Sequence, residues 1–394
     1  MNTSVPAVVL QLYHGGLAVA RSLGRLGVEV HGVTADRRRP GARSRHLHET
    51  HVWDIDPAPA RESVDWLLEL GRKVGGRPLL IPTEDVGAML VADYADELLE
   101  AFRFPEQPAG LARKLSSKDG MQDLCHEHSI PTPLAIAPRS RAEVEQFVAS
   151  TTFPVVLKGI DAGRFQQDSG IRVLVVDTEQ ELWQMWDRVS AGGEPNLLLQ
   201  EYIPGGPDSV WMFNGYFNGD SDCLIGITGQ KLRQFPPYTG FTSLGICRDN
   251  ESVRETTRDL MKQLGYRGVL DLGYRFDARD GLYKLLDVNP RVGSTFRLFV
   301  SSTGLDVVRA LYLDLTDQEP EPAGSAVPGR KWLIENLDLA SSATYFRNGE
   351  LQPLPWLRSF AGVKETAWFA RDDPAPFAAM VRDSVLHAVK ALRR

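Results

Sequence analysis

The chain has 394 residues, 43% hydrophobic and 24% charged, with 35 Gly and 25 Pro. That is the make-up of an ordinary globular protein long enough for two or three cored domains. A formal charge of −7 argues against a general nucleic-acid binder, and no stretch approaches the ~18 apolar residues of a membrane span. Cys125, Cys223 and Cys247 are odd in number and far apart, without CxxC or Cys/His spacing, which argues against a disulfide framework or a zinc site and for a reducing compartment, the cytoplasm. No basic n-region and apolar h-region open the chain, so no signal peptide is expected. Ten of the 44 basic residues are Lys, so a Lys in a motif position stands out.

AVVLQLY (7–13), a helical LAVARSLGRLG and VEVHGVTAD make a β-α-β unit, hence a parallel sheet. Residues 37–51 read as a basic, turn-rich loop. PLLIPT supplies a third strand, followed by a helix for which Thr83 is the expected N-cap, with Glu84 and Asp85 in its first turn. Residues 111–133 read as helix, break, helix. TFPVVLKG (152–159) and IRVLVV read as antiparallel strands around the polar loop 160–170, with a helix capped by Thr178 after them. NLLLQEYIPG is a strand running into a turn. SVWMFNGYFNGD and CLIGITGQKLRQF alternate like antiparallel strands, with Lys231 and Arg233 expected on one face. GVLDLGYRFDARDGLYKLLDVNPR is a hairpin about an Asp-Gly turn. EPEPAGSAVPG (319–329) is a linker. The strand pieces and helix beyond it carry Trp332, Trp356 and Trp368, read as core packing or a homodimer surface.

The most informative stretch is LLDVNPRVGS. Strand alternation points Asp287, Asn289 and Arg291 the same way: two hard oxygen ligands and a cation. Magnesium with a nucleotide polyphosphate needs that set. A strand ending in a Pro turn, with Asp and Asn as turn formers, explains the triplet equally well on its own.

In order, SSKDG, FPVVLKG, LLLQEYIPG and LLDVNPRVGS resemble the motif series of the ATP-grasp superfamily over roughly residues 1–315, in the flavour of its carboxylate–amine ligases near D-aspartate ligase. The resemblance implies a mixed α/β and α+β fold. A Rossmann-like pre-ATP-grasp domain (1–112) would precede a two-lobed module (113–195 and 196–318), with a small C-terminal region (319–394). It implies ATP held by Lys118, Lys158, Gly159, Ser169, Glu201, Tyr202, Ile203 and Asp208, and Mg2+ or Mn2+ held by Asp271, Asp287 and Asn289. Pairing back across the ARDG turn sets Gly273, which has no ligand, opposite Asp287, so Asp271 is taken as the substitute acid. Lys231, Arg233 and Arg291 would meet the transferring phosphoryl group. His14, Gly15, Gly16, Thr83, Glu84, Asp85, Gly293 and Ser294 would meet small-molecule carboxylate and amine substrates. The implied reaction joins the two through an acyl-phosphate. Each residue also has a structural reading: Lys158 snorkelling at a strand end, Asp208 in a turn, Lys231 and Arg233 on a solvated face, Glu84 and Asp85 favouring a helix dipole.

Three other functions fit parts of the chain. A dinucleotide oxidoreductase would use Asp36 and the Arg run after it, but GGLAVA lacks GxGxxG. An ATP-grasp carboxylase or kinase, and a non-catalytic nucleotide-binding regulator, share the motif series.

Overall fold

The computed structural model describes residues 1–160, 165, 170, 173–190, 195–320 and 322–392, with side chains to 386. Strands β1 (Ala7–Leu10), β2 (Val30–Thr34), β3 (Glu49–Val52) and β4 (Leu79–Pro82) form an all-parallel sheet in the order β3-β2-β1-β4. Every β1 residue is buried, as expected of a central parallel strand read from an unbroken apolar run. β3 lies inside the segment read as loop. Four half-polar residues at a sheet edge carry no apolar run to announce a strand.

A small antiparallel sheet follows, with β5 (Ala135–Ile136), β6 (Val155–Lys158), β7 (Val173–Val176) and β8 (Leu198–Glu201) in the order β5-β8-β6-β7. The strand β8, expected to open the second lobe, instead completes the first by pairing with β6. Its Leu199, with Leu197 just before the strand, packs with Phe147, Leu157, Leu182 and Trp186, and that burial decides the allegiance.

The large sheet holds β9 (Val210–Phe217), β10 (Cys223–Phe235), β11 (Phe241–Cys247), β12 (Gly268–Asp277), β13 (Leu282–Asn289), β14 (Lys331–Leu333) and β15 (Val363–Thr366), in the order β13-β12-β9-β10-β11-β14-β15. The region beyond the linker therefore extends this sheet: β14 pairs antiparallel with β11, and β15 parallel with β14. Trp332 is 1% exposed, in one hydrophobic cluster with Val9, Met212, Phe296 and Trp368. Buried polar ties reinforce the junction. Arg21 donates to Asp373 at 2.9 Å and to the Trp368 carbonyl at 2.7 Å, and Arg297 donates to Glu365 at 2.8 Å. The N-terminal sheet, the large sheet and the C-terminal region thus share one core.

Candidate functional site

The β12–β13 hairpin has the register read from its turn, Gly273 opposite Asp287 and Asp271 opposite Asn289. Asp287 accepts from Lys118 Nζ at 2.5 Å and from Asn289 Nδ2 at 3.0 Å. Asn289 Nδ2 also donates to the Asp271 carbonyl at 3.2 Å, and Asp271 Oδ1 accepts from Asn214 Nδ2 at 3.3 Å. Lys118 reaches this face because Ser117 caps its helix (Lys118–Glu127), accepting from the Gly120 amide at 3.0 Å. Burial pushes the Asp271 carboxyl up to about 6, opposed by Arg291, Asn214 and Lys231 and reinforced by Asp287. Burial also pushes on Asp287, but Lys118, Asn289 and Lys158 win and hold it at about 2. The two acids thus sit in different charge environments although they share one face.

Gly293 makes room for Asp271. A Cβ there would lie 2.4 Å from Asp271 Oδ2. Asn214 was missed from sequence; the signal was an Asn in the apolar run WMFNGYF, on a strand whose neighbours are all buried.

Lys158 stands at the end of β6 and donates to Gln200 Oε1 at 2.9 Å. Burial, then Lys118 and Lys231, lower its ammonium to about 8 against the pull of Asp287. Lys231, from β10, donates to the Gly240 carbonyl at 3.2 Å and is likewise lowered by burial against the pull of Asp287 and Asp271. Of three ammonium groups from three elements, Lys118 touches Asp287, while Lys158 and Lys231 lie within its electrostatic reach.

Arg233 is a correction. A bulge in β10 between Lys231 and Arg233 breaks the alternation, so the two side chains part company. Arg233 is 5% exposed and makes a bidentate pair with Asp338 at 2.7 and 2.8 Å, with Ser359 Oγ at 2.8 Å. It anchors the helix Glu335–Arg347 rather than a phosphate. Asp338→Ala would strand a buried guanidinium and should cost about 3–5 kcal/mol. Guanidinium denaturation checks this; a loss under ~1 kcal/mol would contradict the pairing.

At the hinge, Glu201 accepts from Arg279 Nη2 at 2.5 Å and from the Leu134 amide at 3.3 Å, so its carboxylate is committed to structure. The Tyr202 and Ile203 amides have no partner among the described residues, and Ile203 is 3% exposed. Asp208 is exposed in a 3-10 turn, where its carbonyl accepts from Gln230 at 2.7 Å. Gly159 directly follows Lys158; Ser169 lies outside the described residues.

The remaining candidates gather where the N-terminal sheet meets the large sheet. Arg291 Nε donates to Asp85 Oδ1 at 2.6 Å, and its Nη2 to Asn289 Oδ1 at 3.2 Å. Burial raises the Glu84 carboxyl, with Arg291 and Arg39 opposing. Arg39, read from sequence only as part of a dinucleotide site, lies over the Tyr13 ring at 4.6 Å. Thr83 is not an N-cap: its hydroxyl donates to the Leu10 and Gln11 carbonyls at 2.8 and 3.1 Å, and Glu84 caps the helix Asp85–Asp93 without a side-chain bond. Thr83 therefore ties two strand ends instead of facing a ligand. A Cβ on Gly15 would make only an ordinary contact, 3.6 Å from Ser294 Cα, whereas one on Gly16 would lie 1.9 Å from the Gln11 carbonyl, so Gly16 serves close approach. In the free NAD reading, Asp36 would hold a ribose; it is instead paired with Arg38 at 2.9 Å.

His14 lies edge-on to Trp368, centroids 4.6 Å apart, and its Nε2 is buried without a partner among the described residues. Burial pushes the imidazole down to about 4. A depressed His is neutral when folded but takes a proton near pH 6.5 when unfolded. Its contribution is thus complete above 6.5 and is lost as pH falls towards 4. Wild type should lose roughly 1–2 kcal/mol more than His14→Phe between pH 7 and 5, read from urea midpoints. Equal losses would contradict the burial of that nitrogen.

No protein-family model matches the chain. By sequence it is 26% identical over 251 residues to the D-aspartate ligase of Enterococcus faecium, a match covering 61% of this chain and 59% of that ligase. Its structure is similar to L-amino acid ligase from Bacillus licheniformis, with TM-score 0.63 and 14% identity over 84% of this chain and 79% of that one. It is also similar to N5-carboxyaminoimidazole synthetase from Staphylococcus aureus complexed with ADP, with TM-score 0.65 and 11% identity over 89% and 88%. Together, a parallel N-terminal sheet, a small antiparallel lobe containing Lys158 and a large sheet carrying Asp271, Asp287 and Asn289 give the chain the ATP-grasp fold that these structures share. By sequence it is similar both to this D-aspartate ligase and, at 22% identity over 236 residues, to biotin carboxylase 1 of Bacillus subtilis. The match spans about three-fifths of the length of the D-aspartate ligase. No helix among the described residues is long and apolar enough to cross a membrane.

Proposed function

We propose that this protein is an ATP-dependent ligase that joins a carboxylate to an amine through an acyl-phosphate and releases ADP and phosphate. One observation carries the reading. Lys118 at a helix start contacts Asp287, Lys158 of the small sheet and Lys231 of the large sheet feel its charge, and Asp271 and Asn289 stand on the same hairpin. Cations about an acid pair suit a bound polyphosphate better than they suit a structural core, where such charge would be costly.

A divalent ion fits the donors present. Asp271 and Asp287 offer carboxylate oxygens, and the Lys118 ammonium already occupies a cation's place 2.5 Å from Asp287 Oδ1. Magnesium or manganese, when bound, would neutralise polyphosphate charge.

In the first step a substrate carboxylate oxygen bonds to the γ-phosphorus, and the bond from that phosphorus to the β–γ bridging oxygen breaks, freeing ADP. In the second, the amine nitrogen bonds to the acyl carbon, the carbon–oxygen bond to phosphate breaks, and the amine proton leaves to solvent. Lys158 and Lys118 hold phosphate oxygens, and Lys231 faces the charge that develops on the transferring group. The Tyr202 and Ile203 amides are available to the adenine. Arg291 is the group that meets the substrate carboxylate, exchanging Asp85 for it, and Glu84 offers a counter-charge to the amine. No side chain is needed as a covalent nucleophile. Small-molecule substrates and a cytoplasmic setting accompany this reading.

Phosphate release across a matrix of amino acids, dicarboxylic acids and amines, followed by product mass, tests it. An amide formed only with ATP and magnesium is the expected result. Failure to bind ATP at millimolar levels sinks the nucleotide reading. Bicarbonate-dependent phosphate release without any amine would instead assign the carboxylase reaction.

A further inference from the structure

His31 on β2 and Glu49 and His51 on β3 come together only through strand pairing, since His31 lies opposite Glu49 and Val33 opposite His51. We propose that these three side chains form a binding site for a transition-metal ion of the zinc class, on the edge of the N-terminal sheet and independent of the nucleotide site. The sequence reading argued against zinc because no Cys/His spacing was visible; a site split between two strands leaves no such spacing.

The geometry is that of a three-ligand cradle. His31 Nδ1 and His51 Nε2 are 3.1 Å apart, His51 Nε2 and Glu49 Oε2 are 3.7 Å apart, and all three ligand atoms lie within 4.8 Å of one another. Tetrahedral zinc, with bonds of about 2.0–2.2 Å, sets its ligand atoms roughly 3.3–3.5 Å apart. The rings are stacked at 5.3 Å and 23°. His31 and His51 are 4% and 8% exposed, so they are held in place, while the Glu49 side chain is 42% exposed and leaves a side open for entry and a water ligand.

The surrounding shell favours a metal. Glu29 Oε1 lies 2.9 Å from His31 Nε2, which fixes that ring's proton on Nε2 and leaves Nδ1 with a lone pair. A carboxylate behind a ligating histidine is the usual device for orienting it and raising its basicity. Without a metal, His51 Nε2 must then donate to His31 Nδ1. Metal binding moves that proton to His51 Nδ1 and presents two lone pairs to the ion. Lys73 Nζ, 3.8 Å from Glu49 Oε1, and Arg37 oppose a cation here. Glu29 and Glu49 supply the opposite charge, 2.9 Å from His31 Nε2 and 3.7 Å from His51 Nε2. His48 leans on the His31 ring at 5.3 Å and turns its Nε2 towards Glu29 at 3.8 Å, so it is not counted as a ligand. Two imidazoles and one carboxylate select zinc, cobalt, nickel or copper over magnesium and calcium.

Calorimetric titration of EDTA-stripped full-length protein with zinc, in excess magnesium, decides the matter. One zinc per chain is expected, with a visible d–d spectrum on cobalt substitution. His31→Gln and His51→Gln should each weaken binding by about 100-fold or more, and Glu29→Gln and Glu49→Gln by about 10–100-fold. No zinc uptake by wild type, or wild-type affinity in the double histidine variant, overturns the proposal. Should the buried histidine variants fail to fold, wild-type affinity in both glutamate variants overturns it equally.

Discussion

Asp287→Asn is expected to leave the chain folded and to lower ligase turnover by about 10²–10³-fold. Asp287 collects the Lys118 ammonium and the Asn289 amide and lies within the fields of Lys158 and Lys231. The substitution keeps the shape and removes only the charge. Without that charge Lys118 keeps only its bond to the Leu286 carbonyl, and burial already drives the other acid of the hairpin face, Asp271, towards the neutral form. The side chain is 50% exposed, so losing its ion pair should cost under about 1 kcal/mol of stability. Denaturation curves overlaying those of wild type, alongside steady-state phosphate release, separate the two effects. Wild-type turnover would remove Asp287 from the site.

Lys158→Met should have the second large effect, weakening ATP binding by about 10–100-fold, since a charge-assisted phosphate contact is worth roughly 1.5–3 kcal/mol. Met keeps the apolar stem, and Gln200 loses only one partly exposed hydrogen bond. Wild type carries a pH signature as well. The ammonium is lowered to about 8, so it is charged below that value and neutral above it. ATP affinity should therefore fall as pH climbs through 8. Lys158→Arg, which stays charged, should flatten that fall. A flat wild-type profile from pH 7 to 9.5 would place the phosphate contact elsewhere.

The parts legible in sequence were those fixed by local pattern. The Asp-Gly turn set the β12–β13 register, so Gly273 opposite Asp287 could be read in advance, with Asp271 one alternation away. Thr178 caps its helix as its position suggested. What was not legible depends on non-local packing. A one-residue bulge carried Arg233 away from Lys231 to Asp338, more than a hundred residues on. The allegiance of β8 follows from burial against β6, and that of β14 and β15 from pairing beyond a linker. Asp85 looked like a helix-dipole acid; its contact with Arg291 spans two sheets and could not be seen along the chain. Thr83 had the identity of a cap, but the carbonyls at the end of β1 held its hydroxyl more favourably.

The central claim is that a carboxylate is activated by phosphoryl transfer before an amine attacks. Oxygen-18 in the substrate carboxyl group tests it most directly. With ATP, magnesium, a labelled amino-acid and dicarboxylate mixture and an amine mixture, an acyl-phosphate route passes one labelled oxygen from the carboxylate to each phosphate released. Mass spectrometry of that phosphate should show a single heavy oxygen in step with amide formation. Unlabelled phosphate accompanying a labelled amide would contradict the account.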